Sequence, residues 1–256
     1  MEIRILGAHS LESNRTKMVT LLVDGVIALD AGSLTSGLSF PEQMQLKAVL
    51  LTHRHYDHIR DVPAIGLSLY MQKSLDIYAL QSVLDELKNR LLDGTLYPRF
   101  DEKPSAQSPT FRYHAVEPGR LMIIEGHSVV AVPVKHAAPA VGYLVTSPEG
   151  KSVFYTGDTG PGLTECWKQV RPTVLVIETA LSNSFEKPAL ENGHLTPRLL
   201  KGELESFRKI NSYLPRVVLV HLTPHLEDAI REEVAHVSLD LGIVIEVAHE
   251  GMRISL

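Results

Sequence analysis

The stretch Leu50-Leu-Thr-His53-Arg-His55-Tyr-Asp57-His58-Ile-Arg-Asp61 puts four potential metal ligands into six residues, directly after the apolar run Lys47 to Thr52. That run shows no polar alternation, as expected for a strand buried on both faces. Imidazole and carboxylate are ligands that zinc, iron and manganese accept, and a loop leaving a rigid strand can aim alternate side chains, His53 and His55, at one point. Asp57 and His58 then point elsewhere, so the loop offers two directions of ligation and suggests two ions side by side. A hydrated surface loop is the simpler reading of a single histidine. Four ligand types in this order weigh against it.

Other apolar runs also end on polar, chemistry-bearing residues. Val129 to Val134 leads to His136, Ser152 to Tyr155 leads through Thr156-Gly157 to Asp158, Thr173 to Ile177 leads to Glu178, and Val217 to Val220 leads to His221. If these runs are strands of layered sheets, their exits converge on one rim, where a rigid sheet positions mobile loops. Asp158 sits in Gly157-Asp-Thr159, where glycine permits a sharp turn, and its two oxygens could bridge two cations. Thr196 reads as the cap, and Pro197 as the first turn, of a helix running to Ile210, with Leu200, Leu204 and Phe207 inward. His194 would then stand at a helix N-terminus, a place that also favours phosphate.

The motif resembles the His-x-His-x-Asp-His signature of the metallo-β-lactamase fold superfamily. The resemblance runs through nearly the whole chain, since His136, Asp158 and His221 match the family's later ligands by position. It implies an α/β, four-layer αββα sandwich over residues 1–256 as one domain. It also implies two divalent ions, zinc with manganese or iron as alternatives. His53, His55 and His136 would hold one, Asp57, His58 and His221 the other, and Asp158 would bridge them. A shared water with a pKa of roughly 7 would supply the hydroxide nucleophile. Asp30, in Asp30-Ala-Gly32, would lie beneath the site and orient a ligand histidine.

Within that superfamily an aspartate at 158, rather than cysteine, speaks against a zinc β-lactamase. Asp30-Ala-Gly-Ser-Leu-Thr-Ser-Gly37, Glu178-Thr and Gly193-His-Leu-Thr-Pro197 resemble class II 3′,5′-cyclic nucleotide phosphodiesterases. Glu178, His194 and His221-Leu-Thr-Pro224 are also similar to tRNase Z, in which a Glu–His pair assists the leaving oxygen. The resemblance thus implies a phosphodiesterase with Asp57, Glu178 and His194 as catalytic residues and a small, cyclic-nucleotide-like diester as substrate. Tyr56 and Asp61 depart from the cyclic nucleotide pattern, and the chain shows no Gly-rich basic arm, which ranks RNA second. The further alternatives are a thioester or lactone hydrolase of the same fold and a non-catalytic metal-binding module.

The bulk composition agrees with an enzyme for small substrates. The chain has 256 residues, 44% hydrophobic and 21% charged, with a formal net charge of −5, so nothing pulls it globally toward nucleic acid. Cys166 is the single cysteine, Met-Glu-Ile-Arg-Ile lacks the apolar core of a signal peptide, and no apolar run reaches the roughly 20 residues that span a bilayer. A cytoplasmic protein without membrane contact is expected, with a homodimer admissible. Asp61 is expected to cap a helix that buries Ala64, Leu67, Leu69 and Tyr70. Leu84, Leu87 and Leu91 should form the core stripe of the next helix. Asp93 to Pro109 reads as a long loop, either substrate flap or connector. His9, His114, His127, His225 and His236 carry no assigned role, and His249 could approach the site.

Overall fold

The computed structural model describes residues 1–256. Fourteen strands build two sheets of seven. In chain order they are β1 Glu2–Gly7, β2 Thr20–Val23, β3 Ile27–Leu29, β4 Ala48–Leu50, β5 Leu75–Ala79, β6 Phe111–Ala115, β7 Leu121–Ile124, β8 His127–Pro133, β9 Val141–Thr146, β10 Ser152–Tyr155, β11 Val174–Glu178, β12 Arg216–Val220, β13 Ile245–Val247 and β14 Arg253–Ser255. The first sheet has the order β14-β1-β2-β3-β4-β5-β6 and the second β13-β12-β11-β10-β9-β8-β7. The last strand crosses back to pair antiparallel with the first, Ile254 opposite Ile3, so the second sheet ends at β13.

Period-two alternation explains why the runs are apolar throughout. Leu21, Val23, Ala48 and Leu50 face a core between the sheets that also takes Tyr143, Val145, Val174, Val176, Val218 and Val220. Leu22, Val49, Leu51 and Ile77 face the opposite way, toward the helices α1 Val62–Leu69 and α2 Gln81–Glu86. Leu175, Ile177, Val217 and Leu219 likewise meet α3 Pro197–Asn211 and α4 Glu227–Leu241. Both faces of both sheets are covered, which makes the molecule an α/β sandwich of four layers, αββα.

Strand direction sets the rim. β3 to β6 run parallel, β10 to β13 run parallel, and β8 shares their direction because β9 is antiparallel to both of its neighbours. The loops after β3, β4, β8, β10, β11 and β12 therefore leave at carboxyl ends.

Several local expectations are corrected. Asp61 precedes α1 but does not cap it; its Oδ2 accepts hydrogen bonds from the Thr35 N–H and hydroxyl instead. α1 buries Val62, Ile65, Gly66 and Leu69, whereas Leu67 is exposed and Ala64 and Tyr70 are half-buried. Gly66 permits the packing, since a Cβ there would lie 2.4 Å from the Phe100 ring. α2 is shorter than expected and continues as a wider turn over Leu87–Leu91, with Leu91 only half-buried. The 93–109 segment is packed down and not a free loop. Phe100 anchors it in the first sheet's outer core, and a small ribbon pairs Ser105 with Ser108. Pro104 and Ser108 line a recess with Met71 and Lys73, just before β5 begins and thus away from the rim. No helix is long and apolar enough to cross a membrane.

Candidate metal centre and active site

Asp30 is the floor of the site. It directly follows β3, adopts a left-handed φ of 60°, and is fully buried. Its Oδ1 accepts the Thr52 N–H at 2.8 Å. Its Oδ2 accepts from the Tyr155 hydroxyl at 2.8 Å and from His58 Nδ1 at 2.7 Å. The Thr52 hydroxyl also donates to this carboxylate, so its lone pair is free to take the Nδ1–H of His53 at 3.0 Å. The backbone carbonyl of Gly193 accepts from His136 Nδ1 at 2.9 Å. Three imidazoles are thereby fixed in the tautomer whose Nε2 carries a bare lone pair, the form that binds a cation.

Those bare nitrogens meet. The donor atoms of His53, His55, His136 and Asp158 lie within 4.8 Å of one another, as do those of Asp57, His58, Asp158 and His221. Asp158 belongs to both groups, and its two oxygens divide between them. Oδ2 lies 3.7 Å from His53 Nε2 and 3.9 Å from His136 Nε2, while Oδ1 lies 3.1 Å from His58 Nε2 and 3.3 Å from His221 Nε2. Asp57 Oδ2 closes the second group at 3.0 Å from His221 Nε2 and 3.5 Å from His58 Nε2. His55 turns its Nδ1 toward His136 Nε2, 3.1 Å away. All seven residues singled out in the sequence as ligands are brought together.

The donor set fits divalent cations. His53 Nε2, His58 Nε2 and Asp158 Oδ1 are buried without a hydrogen-bond partner, a state that buried polar atoms seldom keep unless another partner serves them. Burial pushes the imidazoles of His53, His55 and His136 below their usual range, toward the neutral form a cation requires. Burial would raise Asp57 and Asp158, but His221 and His58 outweigh it and hold both carboxyls well below the usual range. Burial also opposes protonation of His58, yet Asp158 and Asp30 prevail and push it up, so a cation bound there would take the place of a proton on its Nε2. Gly157, at a φ of 60°, makes the turn that presents Asp158, and a Cβ there would lie 2.7 Å from Thr52.

Glu178, the last residue of β11, carries a second arrangement. Its Oε1 accepts from the Thr159 N–H at 3.0 Å and from His194 Nδ1 at 2.7 Å, and its Oε2 from the Ala180 and Leu195 N–H groups at 3.0 and 3.2 Å. Burial would lower His194, but the Glu178 carboxylate outweighs it and pushes the imidazole up to about 9. The His194 ring stacks on that of His221 at 5.7 Å and lies 5.2 Å from that of His136. The expected phosphate site on the α3 N-terminus is not available. The Arg198 N–H is taken by Asn183 Oδ1, the Leu199 N–H by the Thr196 hydroxyl and the Leu200 N–H by the Thr196 carbonyl.

Asp57, Asp158, His194 and His221 line a recess of about 610 Å³ with Ser10, Met18 and Thr223. A larger recess of about 770 Å³ lies between α4 and β13, but Arg231 is its sole ionisable residue and the rest is mostly aliphatic, which leaves it without catalytic groups. His249 stays outside the ligand groups and bonds the carbonyl of Glu250. Thr52, Tyr155 and the Gly193 carbonyl carry no signal in the sequence that links them to the centre, because each reaches it across sheets or loops.

The family model described as beta-lactamase superfamily domain matches residues 20–254. The chain belongs to the beta-lactamase superfamily. Among its relatives is a UPF0173 metal-dependent hydrolase of Methanopyrus kandleri, 25% identical over 255 residues, 96% of each chain. A ribonuclease Z of Pyrococcus abyssi is 27% identical over 168 residues, 60% of this chain and 50% of the relative. The chain spans about a third to a half of the length of the first curated relatives it matches. Among solved structures, unliganded yeast PDE1 superposes with a TM-score of 0.83 at 18% identity, covering 100% of this chain and 99% of the other. The superfamily's fold is thus present here, together with two His/Asp groups that could hold metal ions.

Proposed function

We propose that this superfamily member is a metal-dependent phosphodiesterase with two divalent ions per chain, acting on a small diester such as a cyclic nucleotide. The observation that carries the reading is the division of Asp158, one oxygen toward His53 and His136, the other toward His58 and His221. His53, His55 and His136 would hold one ion and Asp57, His58 and His221 the other, with Asp158 between them. When present, the ions supply Lewis-acid charge for the phosphoryl oxygens and acidify a water for attack. Zinc suits the imidazole-rich set best, and manganese or iron suits it with the carboxylates.

The chain's own residues account for the rest. Asp30 holds His58, and through Thr52 also His53, so the centre is organised before substrate arrives. Glu178 orients His194, whose free Nε2 protonates the departing alkoxide. Asp57 lines the recess as well as the second ligand group, where its carboxylate orients the attacking water. The ribonuclease Z relative supports RNA as the second reading; the net charge of −5 ranks it behind a small diester.

Elemental analysis of protein purified without chelator should approach two ions per chain. Screening the zinc- and manganese-loaded forms with cyclic nucleotides, RNA and bis(p-nitrophenyl) phosphate should show turnover of diesters. Metal content near zero after reconstitution, or loaded protein inert toward every diester, would overturn the reading.

A further inference from the structure

Alternation along an extended loop sends Arg54 away from the centre that His53 and His55 face, and it lands in a second recess. This recess, about 530 Å³, is lined by Arg54, Arg90, Glu86, Ile59 and Leu91, and it shares His55 and Tyr56 with the metal-site recess. Arg90 pairs with Glu86 at 2.6 Å, whereas Arg54 reaches the same carboxylate only at 3.5 Å, a separation too long for a strong hydrogen bond. One carboxylate thus faces two guanidiniums. In a chain of net charge −5, this leaves an uncompensated positive charge on the lip of the site.

A surface ion-pair network would be the ordinary interpretation, and such networks contribute little. Two features exceed it. The Arg54 side chain is 45% exposed and the Arg90 side chain 79%, so most of their fixed N–H donors remain open to a ligand. Between them and the centre stands Tyr56, 61% exposed, an aromatic face on which a planar ring can stack. The rings of His194, His136 and His55 follow one another at centroid separations of 5.2 and 4.9 Å, and the guanidiniums line the recess that the last of them shares. If His194 serves the leaving oxygen, the half of the substrate retained on phosphorus extends past His55.

We infer that the recess of Arg54, Arg90 and Tyr56 is a specificity subsite for a second anionic group, phosphate or carboxylate, carried on a nucleoside-like retained half of the substrate. The inference rests on the phosphodiesterase reading for its kinetic test and stands apart from it in its binding test. The paired substrates are thymidine 5′-(p-nitrophenyl phosphate) with a free 3′-hydroxyl and the same compound bearing a 3′-phosphate. The loaded wild-type protein should favour the 3′-phosphorylated compound in kcat/KM, chiefly through KM. Arg54→Gln and Arg90→Gln should each reduce that preference by about three- to tenfold, as charge-assisted contacts at a half-open site do. Glu86→Gln removes the competing carboxylate and should raise the preference, an increase that a merely structural role for these residues would not produce.

Calorimetry on the loaded protein gives the second readout. Adenosine 3′,5′-bisphosphate should bind more tightly than adenosine 5′-monophosphate, and either arginine variant should narrow the gap. A preference near unity in the wild type, untouched by the three variants in both assays, would overturn the subsite. If no diester is turned over but the bisphosphate preference exists and depends on Arg54 and Arg90, the subsite holds and the phosphodiesterase reading fails. A carboxylate-bearing analogue preferred over the phosphate would support the subsite and identify which anion it takes.

Discussion

On the proposed reading, His194 is the residue that separates catalysis from ligation. It lies outside the two groups that share Asp158, yet Glu178 holds it 2.7 Å away and its ring stacks on His221. His194→Ala should leave metal content intact and lower kcat by about 10²–10⁴ on a diester with a ribose leaving group, the usual range for a lost general acid. A p-nitrophenolate leaving group needs little protonation and should suffer much less. An equal loss on both substrates would make His194 a phosphate-positioning residue, and lost metal would make it a ligand. This residue was legible because Gly193-His-Leu-Thr-Pro197 contains a helix start that fixes where His194 stands. The supports of the ligands were not. Thr52 precedes His53 in sequence, but its hydroxyl acts as a relay to Asp30 only because β3 and β4 are neighbours. Tyr155 reads as plain core and becomes a donor to Asp30 only across the two sheets.

At the scale of elements, strands were read more accurately than helix faces. The runs Ser152 to Tyr155 and Val217 to Val220, read from the sequence as strands, return as β10 and within β12. α1 is almost wholly apolar, so periodicity cannot name its buried face; contact with Phe100 at Gly66 decides it. α3 is amphipathic and gave Leu200, Leu204 and Phe207 correctly, yet it also buries Glu203, which no pattern anticipates. That carboxylate accepts the N–H groups of Gly162 and Leu163 at 2.7 and 3.2 Å and the indole N–H of Trp167 at 2.9 Å, tying the loop after Asp158 to the helix layer. Glu203→Leu leaves the Leu163 and Trp167 donors buried and unpaired and should cost about 2–4 kcal/mol, since each stranded group costs about 1–3. Urea unfolding followed by Trp167 fluorescence measures it, and an unchanged midpoint would mean that water reaches these donors. Metal content should stay the same, because Glu203 touches no ligand.

The whole molecule is closed at the rim by a contact among distant parts of the chain, and His9, to which the sequence assigns nothing, is its centre. His9 Nδ1 meets Glu250 at 2.7 Å and its Nε2 meets Glu227 at 3.2 Å, joining the segment after β1 to α4 and to the turn before β14. Glu250 also accepts the Lys17 N–H at 2.8 Å. Burial lowers the His9 imidazole, but the two carboxylates outweigh it and leave it raised above 6.5, while Glu250 is held down at about 2 against an ordinary 4.5, chiefly by His9 and the Lys17 N–H once burial is overcome. A group raised in the folded state stabilises fully below its unfolded pKa and loses that contribution as pH rises through its folded value. A carboxyl depressed in the folded state stabilises above its unfolded pKa and loses that contribution as pH falls through its folded value. The clip is therefore strongest between about pH 4.5 and 6.5. His9→Gln, compared with wild type at equal metal loading, should lower Tm most near pH 6, by about 2–4 °C per kcal/mol lost in a chain of this size. The difference should shrink steadily toward pH 9. A Tm difference that stays constant from pH 6 to 9 would show that His9 contributes packing and hydrogen bonding in its neutral form and not a charge held between Glu227 and Glu250.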